Sequence, residues 1–344
     1  MSVIDKMKNN KLIKDSVLKE NTELSFINTG CCSLNVLFSG KLNGGIPIGK
    51  ISQIAAPSAL GKTFIGLKIA SNAQKLGMEV LMLDTEFAFD HNFSESVGVK
   101  SDKLLVVQDN HIESVQQKIL TLVEDLTVDE RKNLLIIIDS YGGLVTSKTV
   151  DDATSGADKV DLSGSRKKNT FARLLMSLGC TVFVVNTVYD TFDTYNPITP
   201  GGGRGIFYAS HCLVMATSKA RDKEGDEISG AIITAKVLKS RLAIEHSKLK
   251  FVIKHDGGIH PVLGIEDDLL EMEWLLKPSN GWYQRNYAKL GIEGEDKKWR
   301  MKEIQDNWQE FYKPILTNKE VQFDFEKAYS FKHHTIVQED IFEI

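Results

Sequence analysis

Ala56, Pro57, Ser58, Ala59, Leu60, Gly61, Lys62 and Thr63 form a run that ends in Gly-Lys-Thr, the spacing of a phosphate-binding loop. The chemistry of such a loop is phosphate capture. Its backbone N–H groups turn inward and meet phosphate oxygens together with the positive end of a helix dipole. The Lys62 ammonium reaches the β- and γ-phosphates of a nucleotide, and the Thr63 hydroxyl is placed to hold Mg²⁺. Phe64 completes the stretch. Ala56 stands where the motif has its first glycine, so a small residue is kept there.

Carboxylates at strand ends supply the second part of such a site. Leu134–Ile138 is a continuous apolar run that ends in Asp139-Ser140. A buried strand of this kind delivers its carboxylate to the sheet edge beside the loop, where Asp139 can hold Mg²⁺ through water. The run Val80–Leu83 ends in Asp84-Thr85-Glu86. Hydrolysis needs a base or water-orienting group near the γ-phosphate, and Glu86 is placed for that role. On the residues alone, Glu86 also reads as a solvated glutamate at a strand end.

The elements that position these residues follow from periodicity. Ile51–Ala55 is a strand before the loop, and Ile65, Ile69, Ala73 and Leu76 recur at helical spacing after it. From about residue 30 to 262, apolar runs alternate with helix patterns, which predicts an α/β fold: a mainly parallel sheet with helices on both faces. The runs Cys212–Ala216, Ile232–Leu238 and Phe251–Ile253 have little helix between them, so they predict an antiparallel extension with a hairpin near Asp222–Asp226. The pattern of residues 3–20 predicts an imperfect amphipathic helix within an N-terminal protomer-interaction segment, 1–29. Residues 263–344 hold all four tryptophans and read as a small helical C-terminal domain with the indoles in its core. Two segments without periodicity, 151–165 and 188–206, follow strands. They should emerge at the carboxyl edge of the sheet, where open α/β folds bind ligands.

With 42% hydrophobic and 26% charged residues among 344, the composition is that of an ordinary globular protein with a sizeable core. No apolar run approaches bilayer length, and the N-terminus has no signal-peptide core. Cys31, Cys32, Cys180 and Cys212 lack C-x-x-C spacing, so neither a disulfide framework nor a zinc site is indicated, and a reducing cytoplasm fits. The net charge of −4 announces no nucleic-acid binder, but from Lys159 to Arg173 the cations outnumber the anions by four. Arg166, Lys167, Lys168, Arg173 and Arg204 could track a phosphate backbone. Phe192 and Tyr195, in the second irregular segment, could stack on bases or anchor the loop.

The stretch from Val80 to Asp90, with Phe93 and Gly98-Val99 beyond it, resembles the RecA family of recombinases. So do Ile138-Asp139-Ser140 and the segment from Gly201-Gly202 to Phe207–Ser210. Lys239-Ser240-Arg241, Asp256–Ile259 and Asn280–Tyr283 bring the likeness closer to the T-even phage branch of that family, over roughly residues 25–330. The resemblance implies a RecA-like ATPase core, residues 30–262, that uses ATP and Mg²⁺. It implies that Glu86 activates the attacking water and that Asp90 and Phe93 form the adenine pocket, with Phe93 stacking on the base. It makes 151–165 and 188–206 the two DNA-binding loops, with Arg166, Asn169, Arg173, Gly201, Gly202 and Arg204 at the DNA. Phe207 falls at a protomer interface. Lys239 and Arg241 reach across that interface to the neighbour's γ-phosphate. Where the family has a glutamine sensing the γ-phosphate, this chain has Thr187, with one hydroxyl and a shorter reach.

The expected protein is a DNA-dependent ATPase that assembles a helical homo-oligomeric filament on single-stranded DNA and pairs it with a homologous duplex. Its expected partners are a single-strand-binding protein and a recombination mediator, with no membrane. The rival readings are a RecA-fold ring helicase and an ATP-binding mediator without strand-exchange activity.

Overall fold

The computed structural model describes residues 24–155, 163–190, 198–201, 204–219, 231–254 and 258–331. The expected N-terminal helix, the hairpin turn near Asp222–Asp226, Phe192, Tyr195 and Gly202 lie outside the described residues.

In chain order the strands are β1 (Phe26–Ile27), β2 (Ile46–Pro47), β3 (Ile51–Ala55), β4 (Glu79–Asp84), β5 (Leu104–Gln108), β6 (Leu134–Asp139), β7 (Thr181–Asn186), β8 (Val188–Asp190), β9 (Ile198–Pro200), β10 (Ser210–Lys219), β11 (Ala231–Lys239), β12 (Lys248–Lys254), β13 (Gly258–Ile259), β14 (Leu275–Ser279), β15 (Trp282–Arg285) and β16 (Trp299–Arg300). Nine of them form one sheet in the order β13-β12-β11-β10-β3-β7-β6-β4-β5. From β10 to β5 every pairing is parallel, and from β10 to β13 every pairing is antiparallel. The sequence shows why. The central parallel strands β4, β6 and β7 carry continuous apolar runs, as strands covered on both faces do.

The alternation along β6 divides the core. Leu135 and Ile137 point into one buried layer and Ile136 and Ile138 into the other, because successive side chains of a strand face opposite ways. The helix Lys62–Lys75 covers the first face with Ile65, Ile69 and Ala73. The helices Ile112–Glu124 and Ser163–Ser177 cover the second with Val115, Ile119, Phe171 and Leu175.

The C-terminal segment carries helices, among them Trp308–Leu316 and Lys319–Tyr329, and also the three-stranded antiparallel sheet β14-β15-β16. That sheet has no clean apolar alternation in the sequence. Its centre is instead the buried pair of Arg285 and Asp296, joined through Nε–Oδ2 and NH2–Oδ1 contacts of 2.7 Å each. The guanidinium packs against Trp299 and Phe311. Trp274 and Trp299 are fully buried, whereas Trp282 is half-exposed beneath the Arg300 guanidinium.

Candidate nucleotide and DNA site

The loop between β3 and the helix Lys62–Lys75 sits at the carboxyl edge of the parallel strands. Gly61 caps the helix in the left-handed region, at φ 70°, which glycine enters without a Cβ penalty. Ala59 is also left-handed, at φ 62°, a conformation that costs an L-residue roughly 1–2 kcal/mol. Strain of this kind gathers at ligand sites. Ala56 is buried and its N–H donates to Asn186 O at 3.2 Å, which ties the loop to the end of β7. The Lys62 ammonium curls over the loop and donates to the carbonyls of Ala56 and Pro57 at 3.0 and 2.7 Å. Its partial burial pulls it below the ordinary lysine value, against the charges of Asp139 and Glu86.

Asp139 lies at the end of β6, directly opposite Asp84 of β4 in register. Thr63 donates its hydroxyl to Asp139 Oδ2 at 2.6 Å. Burial pushes the Asp139 carboxyl up to about 6; the Thr63 bond and Lys62 oppose the rise, and Glu86 and Asp84 add to it. A carboxylate short of positive charge, a hydroxyl beside it and an adjacent ammonium form a donor set that fits Mg²⁺ and a triphosphate.

Glu86 is exposed, one residue past Thr85. The Thr85 hydroxyl donates to Ser140 O at 2.7 Å and accepts the Ser140 N–H at 2.8 Å. The two strand ends that carry Glu86 and Asp139 are thereby fastened to each other. Asp84 holds the turn beyond, accepting from the N–H groups of Glu86 and Phe89 and from Gln108 Nε2. Burial works to raise the Asp84 carboxyl, but the donors Gln108, Phe89, Ala88 and Glu86 outweigh it and hold the group below its ordinary value. The roles of Thr85, Ser140 and Asp84 as fasteners were not read from the sequence. The only signal there was their place at two strand ends.

Asp90 and Phe93, the residues expected at the adenine pocket, lie at the start of a short helix, His91–Ser96. Asp90 caps it by accepting the Phe93 N–H at 2.9 Å, and the Phe93 ring lies near that of Phe64.

Thr187, at the expected sensor position, packs against the turn after Asp139. A Cβ added at Gly142 would fall 2.7 Å from Thr187 Oγ1. Gly201 donates its N–H to Thr187 O at 2.9 Å, and Gly201 O accepts from Asn186 Nδ2 at 2.8 Å. Thr187 therefore lies between the turn after Asp139 and Gly201, at the base of the β8–β9 hairpin.

The basic cluster resolves into residues with different partners. Arg166 and Arg173 are exposed, two turns apart on the helix Ser163–Ser177. Lys167 pairs with Glu113, which also accepts the Ser147 N–H. Lys168 is half-buried and donates to Gly142 O at 3.3 Å. Asn169 Oδ1 accepts the Gly205 N–H at 2.8 Å, so it joins this helix to the short helix Arg204–Ala209. Glu113 was not singled out in the sequence, where it looks like any acidic residue in a first helical turn.

Lys239 ends β11, with its ammonium 6.0 Å from the Phe207 ring centroid. Arg241 lines a groove of about 500 Å³ with Lys50, Ile51 and His211. Burial, and then the charges of Arg241, Lys50 and Lys239, push His211 down to about 4. Among the described residues no helix is long and apolar enough to cross a membrane.

A phosphate loop and a strand-end carboxylate on a parallel sheet that turns antiparallel beyond β10 define a nucleotide-binding protein of the RecA type. The model of the RecA N-terminal domain matches residues 1–260, and that of the C-terminal domain of the bacteriophage T4 recombination and repair protein matches residues 268–325. The chain belongs to the RecA family of recombinases. It is 28% identical to the recombination and repair protein of Enterobacteria phage T4 over 338 residues, covering 93% of this chain and 85% of the relative. It is 31% identical to protein RecA of Rhodopirellula baltica over 280 residues, 79% of this chain and 71% of the relative. With protein RecA of Clostridium botulinum (strain Eklund 17B / Type B) it shares 30% over 332 residues, 93% and 86% of the two chains.

Proposed function

We propose that this protein is a DNA-dependent ATPase that forms a helical filament on single-stranded DNA and catalyses homologous pairing and strand exchange. One observation carries the reading: the site is divided between opposite ends of the sheet. Lys62, Thr63, Asp139 and Glu86 gather at the carboxyl edge. Arg241 shares its groove with Lys50 and Ile51 at the other end of the five-residue strand β3, roughly 15 Å of strand away. An arginine there cannot reach its own γ-phosphate. It suits the phosphate of a neighbouring copy, so each active site needs two protomers and assembly follows from chemistry.

Within one site the roles follow from placement. Lys62 leaves the loop carbonyls to meet the β- and γ-phosphates. Thr63 and Asp139 hold Mg²⁺, which when bound offsets phosphate charge. Glu86 orients the attacking water and accepts its proton. Lys239 and Arg241 of the adjacent copy stabilise the charge that develops on the γ-phosphate. Thr187, packed against Gly142 and bonded to Gly201, relays the state of this site to the second DNA-binding loop. Arg166 and Arg173, with Arg204, contact the DNA backbone. A cytoplasmic location, a single-strand-binding partner and a mediator complete the proposal.

The test is ATP hydrolysis with and without single-stranded DNA, followed by strand exchange on the same preparation. DNA should stimulate hydrolysis, and exchange should require ATP. Hydrolysis without exchange would favour the mediator reading, and closed rings in electron micrographs would favour a helicase.

A further inference from the structure

Phe64 opens the helix Lys62–Lys75, directly after Thr63, and its ring is half-buried. Two neighbours hold it. On one side the Phe93 ring lies 6.3 Å away between centroids, tilted by 51°, a separation and tilt at which aromatic rings attract. On the other side is Gly258, at φ +67°, where an added Cβ would fall 2.3 Å from Phe64 Cζ. No side chain fits there unless the ring moves. Phe93 is fixed through its backbone by the Asp90 cap, yet 44% of it remains exposed. An open aromatic face at the rim of a phosphate loop, backed by a second ring wedged against a glycine, is built for a flat π ligand.

We propose that Phe64 and Gly258 are positioning residues that set base preference by holding Phe93 as a stacking platform for purine nucleoside triphosphates. The proposal rests on the nucleotide-site reading above. Asp90 Oδ1 accepts the Phe93 N–H and so holds the platform's backbone; the part of base preference assigned to Phe64 and Gly258 is the part set by stacking area. Purines, with the larger π face, should then bind more tightly than pyrimidines.

Equilibrium binding of ATP, CTP and inorganic tripolyphosphate, each with Mg²⁺, tests this in the wild type, Phe64→Leu and Gly258→Ala. Leucine keeps apolar bulk on the helix but removes the ring, and the alanine displaces the ring from the other side. Both variants should bind ATP about tenfold more weakly, lose the preference for ATP over CTP, and bind tripolyphosphate as the wild type does. If Gly258→Ala lowers the unfolding midpoint, Phe64→Leu alone decides. Unchanged ATP binding would overturn the proposal, and so would equal losses for ATP and tripolyphosphate, which would place Phe64 beneath the phosphate loop only. A wild type that binds tripolyphosphate but does not prefer ATP over CTP would remove the platform alone. One that binds none of the three would remove the nucleotide site with it.

Discussion

Thr63 and Asp139, 76 residues apart in the chain, share a 2.6 Å hydrogen bond in which the threonine hydroxyl donates to the carboxylate. This bond joins the first turn of the phosphate-loop helix to the end of β6, the two elements proposed to hold one metal ion. It forms although burial has lifted the Asp139 carboxyl to about 6.

That lift makes a pH prediction. The unfolded carboxyl titrates at its ordinary value of 3.8 and the folded one at about 6, so folding takes up a proton between them. The stability from this group is complete below 3.8 and is lost as pH rises through about 6. In metal-free buffer, thermal unfolding midpoints across this window should fall less in Asp139→Asn than in the wild type. Mg²⁺ competes with the same proton, so its affinity should rise over that window, and a flat Mg²⁺ titration would contradict the assignment.

Glu86→Gln should separate binding from turnover. The amide fills the same space but accepts a proton poorly, so ATP should bind normally and hydrolysis should slow by about 100-fold or more. Nucleotide binding and single-turnover hydrolysis, measured together, check this. Weakened binding with normal turnover per bound ATP would make Glu86 structural.

Replacing both Lys239 and Arg241 with Ala should lower DNA-stimulated hydrolysis and shorten filaments. Mixed with Lys62→Ala, the double variant should recover some activity. A complete site is rebuilt wherever an intact phosphate loop meets an intact pair of cations. Mixed filaments that stay inactive would count against sites shared between protomers.

For DNA binding, Arg166 and Arg173 are separable from Lys167. Each single-strand phosphate that a side chain ceases to neutralise lowers the log–log salt slope by about 0.7, so replacing the two arginines with Ala should lower it by about 1.4. Lys167→Ala should leave it nearly unchanged, because Glu113 already neutralises that ammonium. Salt titrations of a labelled oligonucleotide read both slopes, and an unchanged slope in the double arginine variant would place that helix face away from the DNA.

The C-terminal segment should depend on Arg285 and Asp296. Removing one partner leaves the other charge buried and uncompensated, at about 3–5 kcal/mol, so Asp296→Ala should unfold at markedly lower urea concentration. The ion pair and the Trp299 N–H, acting against the desolvation that would raise it, hold the Asp296 carboxyl below its ordinary 3.8. Its contribution is therefore present at neutral pH and lost as pH falls below that value.

What the sequence determined by itself was whatever depends on local pattern. The Gly61-Lys62-Thr63 spacing, the apolar run before Asp139 and the alternation of strands and helices each report a neighbourhood a few residues long, and periodicity reads such neighbourhoods well. The antiparallel turn of the sheet beyond β10 was legible for the same reason, since runs without intervening helix leave no room for a parallel crossover. What only the tertiary structure decided depends on residues far apart in the chain. The Thr85–Ser140 fastening, the capture of Lys167 by Glu113 and the wedge of Gly258 against Phe64 each join positions with no sequence signal linking them. The β14–β16 sheet escaped the sequence because a buried ion pair and packed indoles, rather than an alternating apolar face, hold it. The resemblance set Arg241 across a protomer interface, but no local pattern tells at which end of β3 it lies; in the fold it shares a groove with Lys50 and Ile51, at the end of β3 away from the phosphate loop, because strand geometry sets reach and side-chain chemistry does not.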